Sequence, residues 1–296
     1  MTTAAETGFR LPRDTAGRIE ARVASFCRTG GEDASVSVWV CGLETREPAY
    51  AREAESDHYA ASTMKLPLLV AAYRRHERGE LDLDRPVPVH NDFRSALDGT
   101  PYSMRQDYDQ DDETWEAIGE ELALRELARR AIVQSGNLAT NLLLERVGAG
   151  EVATVLTDAG CSGKTLLPRG IEDFAAREGG LENRVTAADL GRLMHALARG
   201  ELAEPETCAS AERVLAAQEH RERIPAGLPD GTYCANKTGW VDRVNHDVGL
   251  VRPERGAAYV LAVCTTGDAG KEAATLLIAD VSRLVWKAGG LDRTLG

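Results

Sequence analysis

Aromatic residues are scarce, 5% of the 296 positions, and no stretch of the chain is basic enough to meet a polyanion. Acidic side chains outnumber basic ones 47 to 35, for a formal net charge of −12. Neither nucleic acid nor an anionic membrane therefore has an electrostatic footprint here. Long hydrophobic runs are missing as well: Met1 to Asp14 holds no apolar stretch of signal-peptide length, and no later segment reaches a membrane span. The expectation is a cytoplasmic chain with no membrane partner. The 6 cysteines (Cys27, Cys41, Cys161, Cys208, Cys234 and Cys264) form no CxxC pair and have no histidine companions at zinc-finger spacing. That argues against both a metal site and a disulfide framework. They are expected to be reduced, small buried hydrophobes, Cys234 included.

What is present suits a folded core, with 43% hydrophobic and 28% charged residues. Ile19, Val23, Phe26 and Cys27 recur at helical spacing up to Gly30-Gly31, predicting an N-terminal amphipathic helix. Val36, Val38 and Val40 alternate, predicting a strand, with a short return strand near Pro48 to Arg52. From Ser62 to Leu215 the periodicity is helical, with helices predicted over residues 65–78, 122–134, 139–147, 151–159, 187–199 and 205–218, and no strand. Residues 248–251 and 258–263 read as paired strands around Pro253-Glu254-Arg255-Gly256, closed by a helix over 271–287. The acidic run 107–113 reads as a solvated loop. The sum is an α/β (α+β) fold in one catalytic domain. An antiparallel sheet built from both termini and flanked by helices (1–58 and 222–296) carries an inserted all-helical lobe (59–221), with a cleft between.

Three short motifs carry the chemistry. Ser62-Thr63-Met64-Lys65 opens a predicted helix, and helical spacing sets an amine beside a hydroxyl. Serine is a poor nucleophile until a nearby base takes its proton, and a desolvated lysine can be that base. Ser135-Gly136-Asn137 stands at a helix junction, and Lys237-Thr238-Gly239-Trp240 on a predicted strand. Each alone is an ordinary cap, break or turn. Together, in this order, they resemble the motif trio of class A β-lactamases and penicillin-binding proteins, with Gly136 replacing the usual aspartate. The similarity extends over Asn137-Leu138-Ala139-Thr140-Asn141-Leu142-Leu143 and covers about Ala34 to Leu284.

The resemblance implies a two-lobed transpeptidase-like fold and an acyl-enzyme on Ser62, with Lys65 assisting its deprotonation. The N–H groups of Ser62 and Trp240, the residue after Gly239, would hold the oxyanion. Ser135 would pass a proton to the leaving nitrogen, and Asn137 would contact Lys65 and the substrate amide. Lys237 and Thr238 would hold the carboxylate of a small-molecule substrate. Glu172 is the candidate base for deacylation, although no proline follows it and Ala176 stands where the family has asparagine. An ion pair with Arg169 on a loop is its alternative role. His246, or Arg243 nearby, occupies the region where many lactamases carry a carboxylate-binding arginine, and a plain strand-face residue is the alternative role of His246. Trp240 is expected either to wall the cleft or simply to pack, and Tyr102 and Tyr108 lie in a long rim segment at 92–115 from which either could reach substrate, although rim loops usually do not. No metal or organic cofactor is implied. Hydrolysis of a lactam or related amide or ester is the first reading. A cytoplasmic acyltransferase or amidase using the same acyl-serine is the second, and a non-turnover penicillin-binding or sensor module the third.

Overall fold

The computed structural model describes residues 9–289. The outermost parts of the expected α/β lobe, residues 1–8 and 290–296, lie outside the described residues. In chain order the helices are α1 (Arg13–Thr29), α2 (Lys65–Glu77), α3 (Asp112–Glu116), α4 (Leu124–Val133), α5 (Asn137–Val147), α6 (Ala149–Asp158), α7 (Phe174–Glu178), α8 (Ala187–Ala198), α9 (Pro205–Ala216) and α10 (Lys271–Ala288). The main strands are β1 (Ser35–Gly42) and β2 (Tyr50–Arg52) from the N-terminal side. From the C-terminal side come a pair preceding and following the turn at 242–243, Tyr233–Val241 and Val244–Arg252, and a last strand, Tyr259–Thr266.

These five make one antiparallel sheet in which β1 lies between β2 and the last strand, so a strand from early in the chain pairs with one from late in it. Alternation along β1 assigns its faces. Val36, Val38 and Val40 join Ile19, Val23 and Phe26 of α1 and Leu277, Ile278, Val281 and Val285 of α10 in one core. Trp39 and Cys41 join the other, with Leu190, Leu193 and Met194 of α8. Each fully buried aliphatic side chain of this kind contributes about 1.5–3 kcal/mol. Close packing makes Gly191 of α8 obligatory, because a Cβ there would lie 2.2 Å from the Trp39 ring.

Helix α2 is the axis of the helical lobe. Every residue from Lys65 to Tyr73 is buried, which is the signature of a helix enclosed on all sides rather than amphipathic. Its first residue therefore begins in a dry environment. Two expectations need correction. The segment 62–215 is not free of strands: Pro86–Pro88 pairs with Glu121–Ala123, Phe93–Arg94 with Pro101–Tyr102, and His58–Tyr59 with Arg184–Val185. Nor is the acidic run a solvated loop throughout. Asp111 is buried and caps α3 by accepting from Thr114 N–H at 3.2 Å, whereas Asp107, Asp112 and Glu113 are exposed. Among the described residues no helix is long and apolar enough to cross a membrane.

Candidate active site

Ser62 sits half-buried in a 3-10 turn, Ala61–Met64, that runs directly into α2. Strand Tyr233–Val241 passes against this turn at Gly239. A Cβ there would lie 2.8 Å from Thr63 N and 3.0 Å from Ser62 N, so only glycine permits the approach. That contact brings the Trp240 end of the strand beside the backbone of Ser62. The Lys-Thr-Gly order thus has a local reason: Lys237 and Thr238 immediately precede a position that must lack a side chain.

Lys65 Nζ is buried and donates to Ser135 O (2.6 Å), Asn137 Oδ1 (2.8 Å), Gly136 O (3.3 Å) and Ser135 Oγ (3.4 Å). Lys237 Nζ, also buried, donates to Ser135 Oγ at 3.0 Å and to Thr238 O at 2.9 Å. The Ser135 hydroxyl is therefore held between two amines. Desolvation brings the Lys65 pKa down to about 7, against the smaller opposing pull of Asp109 and Asp111. Desolvation, reinforced by the charge of Lys65, moves Lys237 well below the usual lysine value. Two amines in one dry site cannot both remain protonated without cost. Thr238 Oγ1 is buried and has no hydrogen-bond partner among the described residues.

An open cleft of about 670 Å³ lies over this pair, lined by Ser62, Ser135, Asn137, Tyr108, Glu172 and Trp240 among others. Three of its residues hold a positive φ without being glycine: Ala61 (43°), Ser135 (62°) and Glu172 (58°). Such backbone costs about 1–3 kcal/mol per residue and persists where the surroundings impose it. For Glu172 the imposing contact is Asn141, whose side chain accepts from Ile171 N–H (2.8 Å) and donates to Ile171 O (2.9 Å). Glu172 Oε2 accepts from Arg105 N–H at 3.1 Å, while Oε1 is buried without a partner among the described residues. Desolvation raises its pKa. The alternative ion pair with Arg169 does not form, since the Arg169 guanidinium goes to Glu182 at 2.6 Å.

Several expected placements fail. His246 is fully buried and off the cleft wall. Its Nε2 donates to Tyr59 O at 2.9 Å, its Nδ1 accepts from Thr265 N–H at 3.1 Å, and desolvation lowers its pKa to about 4. A neutral, doubly bonded ring has no means of gripping an anion. Arg243, in the turn beyond Trp240, is paired with Asp268 at 2.6 Å and does not line the cleft. Tyr102 lies under Gly170 and Asn141 instead of reaching the cleft, whereas Tyr108 lines it and is 55% exposed. Trp240 does form cleft wall. Its ring is flanked by Lys271 Nζ at 4.7 Å and the Arg223 guanidinium at 5.0 Å.

Arg223, Lys271, Asn141, Asp109 and Asp111 are the residues that motif reasoning did not assign to the site. Only Asn141 left a signal, lying one helical turn beyond Asn137 on the same face. A second hollow of about 420 Å³ between α6 and residues 163–168 contains none of the motif residues. Among the described residues no group of three or more His, Cys, Asp or Glu side chains is placed to hold a metal ion.

A model of the beta-lactamase enzyme family matches residues 18–288. A beta-lactamase of Rhodobacter capsulatus is 25% identical over 229 residues, covering 76% of this chain and 73% of that protein. The solved beta-lactamase of Sphaerobacter thermophilus DSM 20745 matches with a TM-score of 0.74 and 26% identity, over 93% of this chain and 98% of its own. An ancestral (GNCA) class A beta-lactamase matches with a TM-score of 0.76 and 26% identity, over 91% of this chain and 99% of its own.

Proposed function

This chain belongs to the beta-lactamase enzyme family, and on that premise we propose that it hydrolyses a β-lactam, or a related amide or ester, through an acyl-enzyme on Ser62. The observation that carries the reading is the Ser135 hydroxyl held between Lys65 and Lys237 at a cleft that Ser62 lines. With a pKa near 7, Lys65 is substantially neutral at physiological pH. Its two remaining N–H bonds suit Ser135 O and Asn137 Oδ1, which leaves its lone pair for the Ser62 proton. Ser62 Oγ attacks the carbonyl carbon, and the oxyanion is held by the N–H groups of Ser62 and Trp240. Ser135 delivers a proton to the departing nitrogen and is resupplied from the lysine pair. A substrate carboxylate is taken by Thr238 Oγ1, whose partner is otherwise missing, in the field of Lys237 and of Arg223 and Lys271 around Trp240. His246 and Arg243 have no part in this.

Glu172, with its raised pKa and an Oε1 that has no partner among the described residues, takes a proton from water; the resulting hydroxide attacks the acyl carbonyl, and as the tetrahedral intermediate collapses the proton passes to the departing Ser62 oxygen. A second reading, transfer of the acyl group to an acceptor other than water, is favoured by Ala176. It is buried and supplies no polar side chain near Glu172. Incubation with a chromogenic cephalosporin, followed by absorbance and intact mass together, separates the two. Steady ring opening supports hydrolysis. A lasting mass increment that is absent in Ser62→Ala supports transfer. Neither signal refutes both for lactam substrates.

A further inference from the structure

Gly136 stands where the related motif carries aspartate, and the structure holds a carboxylate at that place all the same. Backbone angles at Gly136 (φ −58°, ψ 128°) suit any residue. What demands glycine is occupied space: a Cβ there would lie 2.7 Å from Asp111 Oδ2, 2.8 Å from Asp111 Cβ and 3.2 Å from its Cγ. The Asp111 side chain is fully buried. Its oxygens accept from Thr114 N–H (3.2 Å) and from the Thr114 hydroxyl, and Oδ1 stands 3.7 Å from Arg130 Nη1. Two residues earlier on the same segment, Asp109 accepts from Asn137 N–H (2.7 Å), Leu138 N–H (2.8 Å) and the Trp115 indole (2.8 Å), capping α5. All three residues of Ser135-Gly136-Asn137 accept from Lys65 Nζ, so their position fixes the amine.

We propose that Asp111 has taken over the place of the missing motif aspartate from the rim segment, with Gly136 as its obligate counterpart, and that it is a positioning residue holding Ser135-Gly136-Asn137 against Lys65. The step being positioned rests on the acyl-Ser62 reading; the exchange of the two positions does not. The test is a reciprocal swap of Asp111→Gly, Gly136→Asp and the double variant. Glycine is needed at 111 because alanine would retain the Cβ that lies 2.8 Å from the new one.

Acylation by benzylpenicillin is timed by intact mass over a range of concentrations, and thermal unfolding is recorded for all four proteins. Each single variant is expected to lower the limiting acylation rate about tenfold or more, with the half-saturating concentration moved less than about threefold. The double variant is expected to return to within about threefold of the parent in rate, and its melting temperature to recover as well. A folded Asp111→Gly that acylates at the parent rate, or a double variant no faster than the slower single, overturns the proposal. If the parent itself is not acylated, the acyl-Ser62 reading falls for this substrate and the melting cycle still decides the exchange. Recovery in the double variant then supports it, and additive loss overturns it.

Discussion

The two halves of the cleft are built differently. The acylating half, Ser62, Lys65, Ser135 and Lys237, sits on the first turn of an enclosed helix, a helix junction and a central strand, with both amines buried and hydrogen-bonded. The half that faces water is a loop in which Glu172 has one backbone donor, an unpartnered oxygen and a left-handed backbone pinned through its neighbour by Asn141. On the proposed mechanism, formation of the acyl-enzyme would depend on a preorganised network and its clearance on a single side chain. The two should respond to mutation separately.

The largest effect belongs to the first half. Lys65→Ala is expected to slow acylation by about 10³–10⁴-fold while leaving the protein folded, as read by intact-mass time courses beside circular dichroism. Acylation near the parent rate would remove Lys65 as base. Next, Glu172→Gln should leave acylation within a few-fold but slow release by about 10²–10³-fold, so that the acyl-enzyme accumulates. If turnover continues unchanged, the contrast between the halves is lost. Gly239→Ala tests the seam of the first half. Its Cβ must push strand and turn apart, and a loss of about 10²-fold in acylation is expected from a displaced oxyanion hole.

A smaller effect is expected from pH. On the proposed mechanism the neutral amine of Lys65 is the active form, and with its pKa brought down to about 7 the acylation rate should fall about tenfold per pH unit below 7 and level off above it. Stability has a different acid limit. His58 and His246, buried edge to face beneath the sheet, titrate at about 3 and about 4 instead of 6.5, through desolvation. As pH falls the unfolded chain takes up those protons first, so this stability is whole above about 6.5 and drains away toward 4. Urea melts across that range should show the midpoint falling with pH; a flat midpoint would mean that the two rings are not held neutral.

Much of this was legible in residue order. Alternating valines in β1 and helical spacing in α1 and α10 fixed the sheet and its cover, and three short motifs named the two lysines and two serines. What escaped has physical reasons. Strands of two or three residues, such as Phe93–Arg94, are too short to show a period. The strand Val244–Arg252 is buried almost throughout because both faces of the sheet are covered, so apolar alternation cannot say which way His246 points. Asp109 and Asp111 were lost in an acidic run because charge suggests solvent, whereas here helix N-termini and the bare Cα of Gly136 receive them.

Acylation of Ser62 is read out by intact-mass spectrometry of the protein mixed with benzylpenicillin. The expected result is a mass increment equal to the whole penicillin, transient in the parent, persistent in Glu172→Gln and absent in Ser62→Ala. An increment that survives in Ser62→Ala, or none in the parent or in Glu172→Gln, would contradict it.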